Sequence, residues 1–129
     1  MAEQERVLVV DDEPSIRKYL QTLLEVDGYS VTAVSSGAEA LEIIQSQERP
    51  NFIILDVLMP EMDGLQTLRQ LIQLDRSLHV IMLSCSNEVT TVVEAIRLGA
   101  QDYLTKPFEK AELDAALLKC RQKIELRKE

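Results

Sequence analysis

The chain is short of the residues that staple small folds, hold soft metals or grip nucleic acid, and each shortage removes a class of function. It has two cysteines, Cys85 and Cys120, without metal-type spacing, so a reducing, cytoplasmic setting is expected rather than a disulfide framework. Its single histidine, His79, stands just before an apolar run and is expected at the surface, neither a phosphocarrier nor a ligand. Lysine and arginine number 14 against 22 acids, a net charge of -8. That balance argues against direct nucleic-acid binding by this domain, because neutralising phosphates takes basic residues. No apolar run approaches the roughly 20 residues of a membrane-spanning helix, and the opening segment MAEQERV has no signal-peptide core. Repeats, internal linkers and low-complexity stretches are also missing. What is left, 129 residues at 46% hydrophobic, suits one soluble globular domain able to bury a core without staples.

Against these absences stand four short apolar runs that each end in a reactive polar residue. Val7-Leu8-Val9-Val10 leads to Asp11-Asp12, and Phe52-Ile53-Ile54-Leu55 leads to Asp56. Val80-Ile81-Met82-Leu83 leads to Ser84, and Tyr103-Leu104-Thr105 leads to Lys106-Pro107. Unbroken runs of about four apolar residues are the mark of parallel strands covered by helices on both faces. In such sheets ligands bind beyond the carboxyl ends of the strands. The sequence therefore delivers three carboxylates, a hydroxyl and an ammonium to one edge of one sheet.

Strand-like and helix-like segments alternate five times, which implies an α/β fold with helices on both sides. A first helix is expected from Pro14 to Asp27, with Ile16, Leu20, Leu23 and Leu24 inward and Gly28 as its stop. Tyr29 to Ala33 alternates apolar and polar residues, as a half-exposed edge strand does. Ser36 and Glu39 form a capping box for a second helix ending near Pro50. Asp63-Gly64 opens a third, with Leu65, Leu68, Leu71 and Ile72 inward. Ser86 or Asn87 caps a fourth, with Val89, Val92, Val93 and Ile96 inward before Gly99. A last helix begins near Lys110, and Leu113, Leu117, Cys120 and Ile124 give it a heptad-like seam. Two readings of that seam stay open: a face packed on the sheet, or the start of a helix that continues into a further element.

Adjacent acids at one strand end, facing a third from another strand, need a counter-charge. Two like charges ~4 Å apart repel by roughly 4 kcal/mol at an effective dielectric of about 20. Oxygen-only ligands with no histidine or cysteine nearby favour a hard cation, and Mg²⁺ accepts a partial protein shell completed by water or phosphate, with Mn²⁺ as a substitute. Asp11, Asp12 and Asp56 carry three negative charges, which one divalent cation and Lys106 balance. A phosphoryl group arriving on a carboxylate would meet both cations already in place.

The chain resembles the receiver domain of two-component response regulators, chemotaxis-receiver-like, from about Arg6 to Leu118. The motifs that carry the resemblance are Val9-Val10-Asp11-Asp12-Glu13-Pro14, Leu55-Asp56-Val57-Leu58-Met59-Pro60-Glu61-Met62-Asp63-Gly64 and Gly99-Ala100-Gln101-Asp102-Tyr103-Leu104-Thr105-Lys106-Pro107-Phe108. The resemblance implies a (βα)5 flavodoxin-like doubly wound sandwich with a five-stranded parallel sheet in the order 2-1-3-4-5. It implies that Asp56 is the phosphoacceptor, taking its phosphoryl group from a sensor histidine kinase or a histidine phosphotransfer protein. Asp11, Asp12, Asp56 and the main-chain carbonyl of Leu58 would bind Mg²⁺. Ser84 and Lys106 would contact the phosphoryl group, Tyr103 would be the aromatic switch, and Pro107 would follow a cis bond. Residues 1–120 would form the receiver, and 121–129 the extended end of the last helix, where a linker to an output domain would start. The implied role is a signalling switch, the N-terminal receiver of a larger regulator, with a standalone receiver or phosphorelay intermediate as the alternative. Activation would be read out by the fourth helix, fifth strand and last helix, through a homodimer for which the seam supplies an apolar strip.

Three positions depart from the usual pattern or leave it open. Leu58 and Ser86 offer little to orient a hydrolytic water, so slow dephosphorylation is expected. Cys85 follows Ser84 as a small buried filler, without a basic neighbour to activate it. An aspartate-nucleophile, Mg²⁺-dependent phosphatase of the haloacid-dehalogenase kind would carry a second acid two residues after the nucleophile, and that position is Leu58. A nucleotide- or flavin-binding module would want a Gly- or Thr-rich loop after the first strand, where this chain has Asp11-Asp12-Glu13. No turnover enzyme and no membrane association are expected.

Overall fold

The apolar runs become the strands of a fully parallel sheet. The computed structural model describes residues 4–46, 49–57, 63–84 and 89–128, excluding the side chains of residues 89 and 124–128. In chain order the elements are β1 (Arg6–Val10), α1 (Pro14–Val26), β2 (Ser30–Val34), α2 (Gly37–Ser46), β3 (Phe52–Asp56), α3 (Gly64–Leu74), β4 (Val80–Ser84), α4 (Val89–Leu98), β5 (Asp102–Thr105) and α5 (Lys110–Lys128). The strand order is β2-β1-β3-β4-β5, the flavodoxin-like order expected. Val10 pairs with Leu55 and Asp56 with Leu83, so the polar residues that follow the runs emerge side by side.

Alternate strand residues point to opposite faces, and each face has its own cover. Leu8, Val10, Ile53, Leu55, Val80 and Met82 meet α2, α3 and α4 through Ala40, Ile44, Leu68, Leu71 and Ala95. Val7, Val9, Phe52, Ile54, Ile81 and Leu83 meet α1 and α5 through Leu20, Leu24, Leu113, Leu117 and Cys120. Each fully buried leucine contributes about 1.5–3 kcal/mol of transfer free energy. Strand β2 forms an edge and shows the half-exposed pattern its alternation predicts.

Helix termini follow local chemistry. Pro14 occupies the first turn of α1, and Gly28 leaves it at φ +91°, a left-handed conformation that a side chain would strain. Asp63 and Gln66 form a reciprocal capping box at the start of α3. At α2, Ser36 Oγ accepts from the Glu39 amide, but the Glu39 carboxylate reaches back to Ser35 rather than to the Ser36 amide. Ser35 and Ser36 hold the Glu39 carboxyl below the usual carboxylate range.

Several expectations need correction. Helix α2 is described as far as Ser46, with residues 47 and 48 outside the described residues and Arg49 and Pro50 beyond the helix; the Arg49 guanidinium donates to the Ile44 carbonyl and the Ser46 hydroxyl to the Glu42 carbonyl. In α4, Val93 and Ile96 do not face in: they are 48% and 44% exposed, while Ala95 is buried and Leu98 packs on the core. Thr91, Ala95 and Leu98 form a competing stripe of the same helical spacing. The short Ala95 side chain brings that stripe against the sheet. The side chain of Val89 and the capping positions Ser86 and Asn87 lie outside the described residues.

The seam of α5 is likewise not a free strip. Leu113, Leu117 and Cys120 are each at most 3% exposed and belong to the core; the side chain of Ile124 lies outside the described residues. Burial pushes the Cys120 thiol up to about 11. His79 is half-buried rather than on the surface, because it begins the β4 ladder, its carbonyl accepting from the Ile53 amide at 2.9 Å.

Candidate functional site

The site is built where the sheet's strands end. Strand β1 delivers Asp11, which is fully buried, its amide bonded to the Val34 carbonyl at 3.2 Å. Asp11 Oδ1 accepts from the Glu13 amide at 2.9 Å and thereby turns the chain into α1. Asp12, next along, is more open to solvent. From α1, Arg17 donates to the Asp11 carbonyl at 2.8 Å and ties that turn to the helix.

Strand β3 delivers Asp56, 3% exposed, with the Val57 amide bonded to Leu83 at 2.8 Å beyond it. The Gly64 amide donates to the Val57 carbonyl at 2.8 Å and brings the start of α3 hard against this strand end. A Cβ on Gly64 would lie 2.1 Å from the Asp56 carbonyl oxygen and 2.6 Å from Val57 Cα, so only glycine fits. Strand β4 delivers the buried Ser84, whose carbonyl accepts from the Lys106 amide at 2.6 Å. The Lys106-Pro107 bond is cis, as expected.

Lys106 closes the cluster. Its ammonium lies 2.9 Å from Asp11 Oδ2, 3.4 Å from Glu13 Oε1 and 3.5 Å from Asp56 Oδ2. Burial alone would lower its pKa, but the bond to Asp11 and the charges of Asp56, Asp11 and Glu13 outweigh it and raise the value above the ordinary lysine range. The ammonium is therefore present at every physiological pH. The loop beyond it is tied to α1, with the Tyr19 hydroxyl donating to the Phe108 carbonyl at 3.1 Å and the two rings 5.6 Å apart.

The donor set fits a hard divalent cation. Asp11, Asp12 and Asp56 each offer a carboxylate oxygen, and these oxygens lie within 4.8 Å of one another. Asp11 Oδ2 is buried with no well-formed hydrogen bond, and among the described residues the Lys106 ammonium, 2.9 Å away, compensates it. Oxygen-only ligands of that charge suit Mg²⁺ or Mn²⁺.

The structure thus brings together five of the residues singled out in the sequence: Asp11, Asp12, Asp56, Ser84 and Lys106. Tyr103 stands apart, 44% exposed on β5, its strand paired with β4. Leu58, Cys85 and Ser86 lie outside the described residues. Three contributors were not assigned a role from sequence: Glu13, Arg17 and the close approach of Gly64. The signals were present, in a third acid beside Asp11-Asp12, a cation one turn into the following helix and a glycine after an N-cap.

The chain spans a little under half the length of the curated relatives it matches. It is 43% identical over 114 residues to a probable transcriptional regulator, ycf27, of Guillardia theta, covering 88% of this chain and 44% of that protein. It is 43% identical over 110 residues to the alkaline phosphatase synthesis transcriptional regulatory protein PhoP of Bacillus subtilis, covering 85% and 45%. Among solved structures, the chemotaxis response regulator CheY4 of Vibrio cholerae superposes with a TM-score of 0.84 at 31% identity, covering 92% of this chain and 99% of that one. No helix among the described residues is long and apolar enough to cross a membrane. Residues 7–118 match the response regulator receiver domain model, and with the strand order and the acid cluster in agreement, the chain belongs to that family.

Proposed function

We propose that Asp56 accepts a phosphoryl group from a phosphohistidine on a sensor histidine kinase or a histidine phosphotransfer protein, and that this chain is a phosphorylation-activated switch rather than a turnover enzyme. The observation that supports this most is the cluster itself: three carboxylates within 4.8 Å, with an ammonium 2.9 Å and 3.5 Å from two of them. An Asp56 carboxylate oxygen attacks phosphorus, a P–O bond forms as the P–N bond breaks, and the leaving imidazole takes up a proton. Asp11, Asp12, Asp56 and the Leu58 carbonyl would hold Mg²⁺, which when bound neutralises charge on the transferring phosphoryl oxygens. Lys106 pairs with one of those oxygens and the Ser84 hydroxyl donates to another. Movement of Ser84 leaves space that Tyr103 fills by turning inward from the surface, which biases a two-state equilibrium toward the active form.

Acetyl phosphate with Mg²⁺ should add one phosphoryl group by intact-mass spectrometry, and Asp56→Ala should add none. An adduct that persists in the variant would remove Asp56 from this role. Because Leu58 and Ser86 give a water little orientation, the adduct should decay slowly, and Leu58→Asn with Ser86→Glu should speed that decay. An unchanged decay rate would reject the water-orientation account.

The output surface we assign to α4, β5 and α5, with a second copy of the chain as its partner. With the α5 seam committed to the core, its apolar content comes from Val93, Ile96 and Tyr103, all more than 40% exposed. The extension of α5 through 121–129 would lead into an output domain, as the greater length of the curated relatives supports.

A further inference from the structure

Glu13 occupies the N-cap of α1 without capping it. Its backbone is extended, at φ −86° and ψ 117°, and its side chain makes no hydrogen bond to the first turn. Glutamate is not among the preferred N-cap residues, which use a short side chain to reach the exposed amides. Here the side chain crosses instead to Lys106, 3.4 Å away, while remaining more than half exposed.

The ammonium therefore touches three carboxylates of two kinds. Asp11 and Asp56 belong to the group of three whose carboxylate oxygens lie within 4.8 Å of one another, and Glu13 does not. A divalent cation held by that group would share the Asp11 and Asp56 carboxylates with Lys106, and the two positive charges would repel. Lys106 can reduce that repulsion only by moving toward a negative group outside the cluster. Glu13 is that group among the described residues, and its solvent-facing chain is free to follow the ammonium outward.

We propose that Glu13 is a positioning residue that takes over Lys106 when a divalent cation claims Asp11 and Asp56. The proposal rests on the metal-dependent reading of the site. It assigns Glu13 no contact with metal or phosphoryl group; the residue acts through Lys106. Loss of the Glu13 carboxylate would leave Lys106 more firmly on Asp11, in competition with the cation.

Calorimetric titration of Mg²⁺ into the 129-residue chain provides the test, with Glu13→Gln and Glu13→Asp each made alone and with Lys106→Met. Glu13→Gln should weaken Mg²⁺ binding roughly three- to tenfold, and most of that loss should vanish once Lys106 is gone, the coupling expected of residues in direct contact. Glu13→Asp keeps the charge but shortens the reach, and should also weaken binding. A direct field effect of Glu13 on the cation would instead spare Glu13→Asp and give Glu13→Gln the same factor in both backgrounds. That result, or unchanged affinity in Glu13→Gln, would overturn the proposal. Failure of Asp56 to take up phosphate would strike the phosphoacceptor reading alone, since the titration measures metal binding without a phosphodonor.

Discussion

Single residues at this site act through charge and contact at distances of a few ångströms. Gly64 has the least tolerance, because its missing side chain is what lets α3 touch the Asp56 backbone. Gly64→Ala should cost about 1–3 kcal/mol through overpacking, seen as a lower urea midpoint, and should reduce phosphoryl uptake by displacing Asp56. A variant as stable as wild type would mean that the strand end can give way. Lys106 sets a pH dependence of definite sign. Its pKa is raised in the folded chain, so its stabilisation is complete below the ordinary lysine value and is lost as pH rises through the folded value. Alkaline unfolding above about pH 10.4 should therefore shift less in Lys106→Met than in wild type. Equal shifts would mean the three carboxylates do not hold the ammonium.

At the scale of elements, the sequence could be read wherever one pattern had one structural solution. The four apolar runs ending in Asp11, Asp56, Ser84 and Lys106 became strands with their polar ends adjacent, because a parallel sheet needs both faces covered. Helix α4 had two solutions of equal period, and the choice between them depended on how closely Ala95 lets the helix approach, a tertiary matter. The seam of α5 was ambiguous for the same reason: heptad spacing describes a sheet-packed face as well as an intermolecular one. Glu13 was hidden because its partner is 93 positions away. The buried seam of α5 and the outward line of α4 can be told apart by experiment. Leu117→Ala should cost 2–5 kcal/mol in urea unfolding, whereas Val93→Ser should stay within about 0.5 kcal/mol. A large cost at Val93 would return that residue to the core.

For the whole molecule, the question is how a phosphoryl group at one edge becomes a surface event. Light scattering with beryllofluoride, a phosphoryl mimic, should show activated dimers that Val93→Ser with Ile96→Ser abolishes, while phosphoryl uptake by the variant is unchanged. A monomer at high concentration in both states would exclude self-association of this chain as the readout. The far end of the molecule has its own fastening. Arg121 of α5 pairs with Glu5, bonds the Tyr29 hydroxyl at 2.6 Å and lies 5.2 Å from the Phe52 ring centroid. Lys123 bonds the Gln101 carbonyl at 2.6 Å, so α5 stays attached to the body at least that far.

The strand order also fixes a sequence of events during synthesis. The first strand made, β1, ends up inside the sheet, between β2 and β3. Its residues Val7 to Val10, at most 1% exposed in the finished fold, must wait with one edge open until Leu55 has left the ribosome. Asp11 and Asp56 wait longer still for their ammonium partner, because Lys106 arrives just after the fifth strand. A nascent chain that has emerged only as far as Leu83 therefore holds Asp11 and Asp56 without their lysine, and the last quarter of translation supplies the ammonium against which Asp11 is buried.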